Sequence, residues 1–260
     1  MNNDIRPIGL FDSGIGGTSI WRAINQILPY ENTIFLGDSL NAPYGQKSKD
    51  EILNLSRKNV EWLLKHDTKL IVVACNTATT NAIQELRSEY KVPFIGVEPA
   101  IKPAAINSKT KKVGVLATQG TLQSKKYSEA QIQYPDVEFI NQIGYKIVQL
   151  IEQGAVHSLE LKNLVKSYIQ PMIDKNIDYL VLGCTHYPYL TPILNEFVPE
   201  HIKIIDSGTA VAKRTQKILH DFNLLKTDSL KGYSKFYTNK DVHILESFIK
   251  DLGTTEKIDF

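Results

Sequence analysis

Eight short runs rich in Val, Ile and Leu alternate with amphipathic stretches along the first 222 residues. The runs predict strands at residues 8–11, 33–36, 70–74, 94–97, 112–116, 137–140, 179–182 and 203–205. The amphipathic stretches predict helices at 18–28, 49–65, 79–90, 121–134, 146–152, 159–174, 190–198 and 209–222. Strands that are apolar at every position are typical of a parallel sheet covered on both faces. The pattern therefore predicts an α/β fold.

Three landmarks occur twice in the same order. Residues 8–14, 72–77 and 95–98 resemble residues 113–119, 181–186 and 204–207, at offsets of 105, 109 and 109 residues. Similar segments at a nearly constant offset indicate a duplicated unit. We expect two pseudo-symmetric lobes, each a mainly parallel sheet flanked by helices, with the active site between them.

The duplication also predicts the domain organisation. After the second unit, a strand at 233–238 and a helix at 242–252 remain. We expect this tail to return to the first lobe. The prediction is a first lobe of residues 1–98 plus 208–260 and a second lobe of residues 99–207.

Composition excludes several classes of protein. Of the 260 residues, 42% are hydrophobic and 22% charged, as in ordinary globular proteins, and the net charge of +2 is too small to indicate a nucleic-acid partner. The N-terminus lacks the basic and apolar pattern of a secretory signal, and the apolar runs are too short to span a bilayer. A cytoplasmic protein without a membrane partner is the expectation.

The chain has two cysteines, Cys75 and Cys184. Two are too few for a disulfide framework or a structural zinc site, so no metal is expected, and inert buried thiols are the simple alternative. However, each cysteine follows a predicted strand and precedes a helical segment, at symmetric positions. Ligands bind at this edge of a parallel sheet, and a helix N-terminus lowers the pKa of a thiol. We expect both pKa values to be lowered, with nearby hydroxyl donors from Thr77, Thr79, Thr80 and Thr185.

Two loops add candidate binding groups. Residues 12–17 (DSGIGG) follow the first strand, but their spacing does not match a dinucleotide or phosphate loop. The simple alternative is a strand–helix turn capped by Asp12; the functional interpretation has Ser13 binding substrate and Asp12 steering a proton at Cys75. Residues 43–45 (PYG) fit a plain turn, or a loop that supplies N–H donors and an aromatic lid.

Two further ionisable residues are candidates. His186 lies two residues after Cys184 and could orient or assist that thiol, although a lone histidine is more often structural. Glu152 lies on a predicted helix, and its local sequence favours a solvated surface charge.

Four segments together resemble the aspartate/glutamate racemase superfamily, and glutamate racemases within it. They are residues 9–17 (GLFDSGIGG), 42–45 (APYG), 74–78 (ACNTA) and 183–188 (GCTHYP). The resemblance covers most of the chain and is weakest in the last thirty residues. One departure is residues 39–41 (SLN), where family members often carry Thr-Ala-Arg.

The resemblance implies a cofactor-independent racemisation of L- and D-glutamate, with the site between two lobes. It implies Cys75 and Cys184 as the acid/base pair, with Asp12, Glu152 and His186 assisting the thiols. It implies substrate contacts from Asp12, Ser13, Tyr44, Gly45, Asn76, Thr77, Thr118, Thr185 and His186. Supply of D-glutamate for cell-wall peptidoglycan follows from that activity, and a homodimer is one assembly that the resemblance allows.

Racemisation needs a base on one face of Cα and an acid on the other, which two cysteines on facing lobes would provide. Three alternatives remain open. A sister enzyme acting on aspartate or a hydantoin would use the same chemistry. A non-catalytic protein would close its lobes on an acidic ligand, and a redox sensor would join the two cysteines in a disulfide.

Overall fold

The structure, a computed structural model, describes residues 3–260. Its strands are β1 (Ile8–Asp12), β2 (Thr33–Gly37), β3 (Leu70–Val73), β4 (Phe94–Gly96), β5 (Lys112–Ala117), β6 (Glu138–Ile143), β7 (Tyr179–Gly183), β8 (Lys203–Ile205), β9 (Ser234–Thr238) and β10 (Thr254–Lys257). Its α-helices are α1 (Thr18–Ile27), α2 (Lys49–Lys65), α3 (Asn76–Glu89), α4 (Ile101–Asn107), α5 (Gln119–Leu122), α6 (Lys125–Ile132), α7 (Ile147–Glu152), α8 (Leu159–Asp174), α9 (Thr191–Leu194), α10 (Gly208–Asp221) and α11 (Val242–Ile249).

The strands form two parallel sheets. The larger has the order β10-β9-β2-β1-β3-β4 and the smaller the order β6-β5-β7-β8. In each, the first strand lies between the second and the third, and the fourth lies beyond the third. We call the part built on the larger sheet the first lobe and the part built on the smaller sheet the second lobe. The predicted α/β fold with two pseudo-symmetric lobes is confirmed.

Burial explains why these apolar runs form strands. Every residue of β1, β2, β3 and β7 is buried, as expected when helices cover both faces of a sheet. One continuous apolar core contains residues of both lobes, among them Leu10 and Val72 from the larger sheet and Leu180 and Leu182 from the smaller. The lobes are therefore packed against each other through side chains as well as joined by the chain.

The tail extends the larger sheet. Strand β9 pairs with β2, with Thr33 opposite Ser234, and β10 pairs with β9 at the edge. The sequence did not predict β10, because its residues are polar and mostly exposed. Helix α4 was also missed: its third residue, Pro103, looks like a helix breaker, but the first turn of a helix tolerates proline.

Several predicted helices differ from the structure. The predicted helix 121–134 is two helices, because Ser124 caps α6 by accepting a hydrogen bond from Tyr127 N at 3.2 Å. The predicted helix 190–198 is a 3₁₀ turn, Tyr187–Leu190, followed by the short α9. The last predicted helix ends at Ile249 because Lys250 adopts a left-handed φ of 49°. None of the helices in the described part of the chain has the length and apolarity needed to cross a membrane.

Candidate active site

The carboxyl ends of the central strands bring the candidate residues together. Strand β1 ends at Asp12, and Cys75 lies two residues beyond β3; in the second lobe Thr118 follows β5 and Cys184 follows β7. Since each sheet is parallel, the residues of each lobe lie at the carboxyl edge of their own sheet, and the carboxyl edges of the two sheets face each other. A single small cavity is lined by Ser13, Pro43, Tyr44, Gly45, Cys75, Asn76, Thr77, Thr118, Val148, Cys184, Thr185 and His186.

The cavity is small. Its volume is about 240 Å³ including the part open to solvent, and it has room for about one water molecule. Both cysteines are free, Cys75 being 4% and Cys184 7% exposed. Both thiols therefore adjoin the same sheltered space, one from each lobe.

Cys75 occupies the N-cap position of α3. Its Sγ accepts a hydrogen bond from Ala78 N at 3.4 Å and donates one to Ser13 Oγ at 3.7 Å. These contacts lower its pKa, but burial and the negative charge of Asp12 outweigh them and raise the pKa of the Cys75 thiol well above its usual value. The expectation of a lowered pKa at Cys75 is wrong, because the loss of solvation at this buried sheet edge has a larger effect on the pKa than the helix N-terminus.

Cys184 begins a chain of three hydrogen-bonding side chains. Its Sγ lies 3.7 Å from Nδ1 of His186, and Nε2 of that ring lies 2.6 Å from Oε1 of Glu152. Burial tends to lower the pKa of His186, but the hydrogen bonds to Cys184 and Glu152 prevail and raise it well above 6.5. A doubly protonated ring fits these two side chains, since each ring nitrogen then donates, one to sulfur and one to carboxylate. Gly16 N also lies 3.3 Å from Nε2, a longer contact in which Nε2 would have to accept.

Glu152 is far from the solvated charge that its local sequence suggests. It is 4% exposed, and Oε1 also accepts a hydrogen bond from Ile15 N of the first lobe at 2.6 Å. The carboxylate therefore joins the 3₁₀ turn after β1 to His186. It stands behind His186 and is not among the residues that line the cavity.

Asp12 is fully buried between the lobes. Its Oδ2 accepts hydrogen bonds from Gly17 N at 2.7 Å and from Thr185 Oγ1 at 3.2 Å, while Oδ1 has no partner among the described residues. Burial raises the pKa of Asp12 to about 6, against lowering contributions from His186, Gly17 and Cys75. This carboxyl thus changes its protonation near neutral pH, beside Cys75.

Glycines make the close approach of the lobes possible. A Cβ at Gly14 would overlap the Glu152 carboxylate, and a Cβ at Gly16 would overlap the His186 ring. The glycine-rich turn therefore serves the contact between the lobes.

Hydroxyl and amide groups line the rest of the cavity. Thr77 Oγ1 lies 2.8 Å from Thr118 Oγ1, a contact between the two lobes. Asn76 donates to Val97 O at 3.3 Å, and Ser13 is bonded to Cys75. These groups and Thr185 are hydrogen-bonding residues that line the cavity with the two cysteines.

The Pro–Tyr–Gly loop closes one side. Tyr44 is buried, and its hydroxyl donates to Asp38 Oδ2 at 2.6 Å and accepts from Asn59 Nδ2 at 3.0 Å. Burial and the charge of Asp38 raise the pKa of Tyr44 well above 10. The phenol hydroxyl therefore fixes the loop. Gly45 packs against Thr118, where an added Cβ would lie 2.8 Å from the threonine Cβ.

All twelve candidate residues lie at or directly behind this cavity, with Asp12 and Glu152 the two that do not line it. The sequence did not single out Val148, which lines the cavity from α7 and carries no chemical signal, or Thr121, whose Oγ1 lies 3.4 Å from that of Thr77. Within residues 3–260, no group of three or more His, Cys, Asp or Glu is arranged to hold a metal ion.

Comparisons with known proteins agree with this geometry. The Asp/Glu/hydantoin racemase family matches residues 8–215. The glutamate racemase of Ralstonia pickettii is 46% identical over 82% of this chain and 76% of that protein. The crystal structure of Escherichia coli glutamate racemase, in complex with L-glutamate and the activator UDP-MurNAc-Ala, has a TM-score of 0.86 at 31% identity and covers 97% of this chain and 98% of that one. Glutamate racemase from Francisella tularensis, in complex with D-glutamate, has a TM-score of 0.84 at 30% identity, covering 98% of each chain. The chain therefore belongs to the Asp/Glu/hydantoin racemase family and is an amino-acid racemase.

Proposed function

We propose that the chain interconverts L-glutamate and D-glutamate, with Cys75 and Cys184 acting on opposite faces of the substrate Cα. The observation that carries the proposal is that one cavity is lined by both cysteines, one from each lobe, at equivalent sheet edges. The relatives support glutamate as the substrate: the crystal structure of the similar Escherichia coli enzyme contains L-glutamate, and that of the Francisella tularensis enzyme contains D-glutamate.

The proposed reaction moves one proton at each face. A thiolate on one side takes the α-proton, so that the Cα–H bond breaks and an S–H bond forms. The thiol on the other side gives its proton to Cα, which inverts the centre and leaves that sulfur as thiolate. No net oxidation or reduction occurs, and each turnover exchanges the protonation states of the two cysteines.

The two thiols have different assistants in this proposal. The raised pKa of Cys75 favours the thiol there, and Asp12 is the nearby carboxyl that steers its proton. Cys184 faces a histidine with a raised pKa, held by Glu152, which suits a thiolate as hydrogen-bond acceptor.

The α-proton of an amino acid is very weakly acidic, so the site must stabilise the carbanion with fixed donors. We assign this task to the hydroxyl, amide and backbone groups around the cavity, namely Ser13, Tyr44, Gly45, Asn76, Thr77, Thr118 and Thr185. Donors that are fixed in place and shielded from water act at low dielectric, where each is worth more than in bulk solvent. No cofactor is needed in this scheme.

Substrate entry requires the lobes to part, since the enclosed space holds about one water molecule. We propose the first lobe as residues 1–98 plus 208–260 and the second as residues 99–207, so that the two crossings near 98 and 207 act as the hinge. We also propose that the protein works in the cytoplasm, alone or as a homodimer, and supplies D-glutamate for peptidoglycan.

The test is racemisation in deuterated water, followed by circular dichroism and by deuterium incorporation at Cα. Cys75→Ser and Cys184→Ser should each lower kcat/KM at least a hundredfold in both directions, because a positioned acid or base contributes about that much or more. Aspartate and hydantoins serve as alternative substrates. Near wild-type racemisation by either variant would overturn the two-thiol mechanism, and activity on aspartate but not glutamate would overturn the substrate.

A further inference from the structure

Asn239 lies outside the part of the chain that the family matches, which ends at residue 215. It directly follows β9 and is 4% exposed. A buried amide must find hydrogen-bond partners for both its ends, because leaving one unpaired costs free energy. The partners of Asn239 lie in the loop that carries Tyr44 and Gly45.

Both ends of the Asn239 amide bind this loop. Its Nδ2 donates to Asp38 Oδ1 at 2.6 Å, and its Oδ1 accepts from Leu40 N at 2.9 Å. Because one contact involves a carboxylate, it belongs to the stronger class of hydrogen bond. The tail of the chain thus holds the beginning of the loop at two points.

Asp38 passes this constraint to the cavity. It is 1% exposed, and besides Asn239 its carboxylate accepts from the Tyr44 hydroxyl at 2.6 Å and from Asn41 Nδ2 at 2.8 Å. Its own N–H donates to Asp12 O at 3.0 Å. A continuous set of hydrogen bonds therefore runs from the tail, through Asp38, to Tyr44, which is one of the residues that line the cavity.

The loop depends on these side-chain bonds for its position. Between Gly37 and α2 it contains only two three-residue 3₁₀ turns, Ser39–Asn41 and Tyr44–Gln46. Gly45 packs closely on Thr118, so a shift of the loop changes both the width of the cavity and the contact between the lobes.

We propose that Asn239 is a positioning residue for the substrate, which through Asp38 sets the conformation in which Tyr44 and Gly45 face the cavity. The inference rests on the proposed function, in which this cavity is the glutamate-binding site. It assigns to the tail a part in substrate binding, although the tail itself does not touch the cavity.

The first experiment compares Asn239→Leu, which keeps the size of the side chain and removes both hydrogen bonds, with Thr238→Val. Thr238 is the preceding residue and is equally buried. Among residues 3–260, its hydroxyl bonds only to Lys240 N, from which it accepts. Asn239→Leu should raise KM for glutamate about tenfold, the equivalent of one or two net hydrogen bonds, with kcat changed less than about threefold. The pH profile of kcat should not move, since no thiol is displaced. Thr238→Val should leave KM unchanged.

The second experiment is an exchange of groups. Asn239→Asp alone places two carboxylates against each other and should raise KM more than Asn239→Leu. Combined with Asp38→Asn, the new amide can donate one N–H to the new carboxylate and the other to the Asn41 amide, once that amide turns over to present its oxygen, while its own oxygen still accepts from Tyr44. The double variant should recover KM to within about threefold of wild type, which a general loss of stability would not allow.

Hydrogen exchange of the loop amides tests the contact independently of catalysis. Asn239→Leu should speed exchange at residues 40–46 and leave β1 and β3 unchanged. Unaltered KM and unaltered exchange in this variant, or a double variant no better than Asn239→Asp, would overturn the inference. If the wild-type protein fails to racemise glutamate, the proposed function falls, and the exchange data still decide whether Asn239 positions the loop.

Discussion

Replacing Asp12 by asparagine should remove a pH-dependent loss of stability between pH 5 and pH 8, and it removes the proposed proton-steering group. Asparagine has nearly the same shape and can still accept from Gly17 N and Thr185 Oγ1, the two partners of Oδ2. What changes is the cost of a buried charge, since Asp12 is 0% exposed and its Oδ1 has no partner among the described residues.

The magnitude follows from the pKa of Asp12. Burial raises it from 3.8 to about 6, so the folded protein holds this proton more tightly than the unfolded chain does. Its contribution to stability is therefore complete below pH 3.8 and is lost as the pH rises through about 6. At 1.36 kcal/mol for each pKa unit, the loss amounts to about 3 kcal/mol, of which about half falls between pH 5 and pH 8.

Urea unfolding of the wild type and of Asp12→Asn at several pH values measures this effect. The free energy of unfolding of the variant relative to wild type should rise by roughly 1–2 kcal/mol from pH 5 to pH 8. Asp136→Asn is the control, because Asp136 is exposed and its pKa is lowered by Lys111, so its stability effect stays constant over this range. Racemisation by Asp12→Asn should fall at the same time.

A flat difference between Asp12→Asn and wild type from pH 5 to pH 8 would refute the reasoning, as would a difference that falls with pH. A flat difference would mean that Asp12 ionises at its ordinary pKa in the folded protein, and a falling difference would mean that folding lowers that pKa. Full racemase activity in the variant would separately refute the role of Asp12 in steering the proton of Cys75.

Two other changes test the second lobe. Glu152→Gln removes the charge that helps to raise the pKa of His186, so kcat/KM should fall roughly 10–100-fold, equally in both directions because the equilibrium constant between enantiomers is one, and the alkaline limb of the pH profile should move to lower pH. The control Glu160→Gln, on the exposed start of α8, should change neither kcat/KM nor the pH profile. An alkaline limb that does not move in Glu152→Gln would contradict the role of the Glu152–His186 pair. Gly16→Ala places a methyl group against the His186 ring, so it should lower the racemase activity, the melting temperature and the free energy of unfolding, the last by about 1–3 kcal/mol. Unchanged kinetics would show that catalysis does not need this close contact between the lobes.

The local pattern of the sequence was enough to predict the architecture and to single out Cys75 and Cys184. Strands buried on both faces must be apolar at every position, so β1, β3 and β7 are visible as continuous runs. The duplication placed Cys75 and Cys184 at equivalent sheet edges. Elements without such a pattern, like the polar β10 and the proline-containing α4, were missed.

Tertiary structure alone decided the environment of each group. Glu152 has the local sequence of a surface charge, yet its partners His186 and Ile15 bury it, and they come from 34 and 137 residues away. Burial also reversed the pKa expected for Cys75. A sequence specifies which side chains can act as acids or bases, but their protonation depends on desolvation and on neighbouring charges, and those are set only when distant segments pack together.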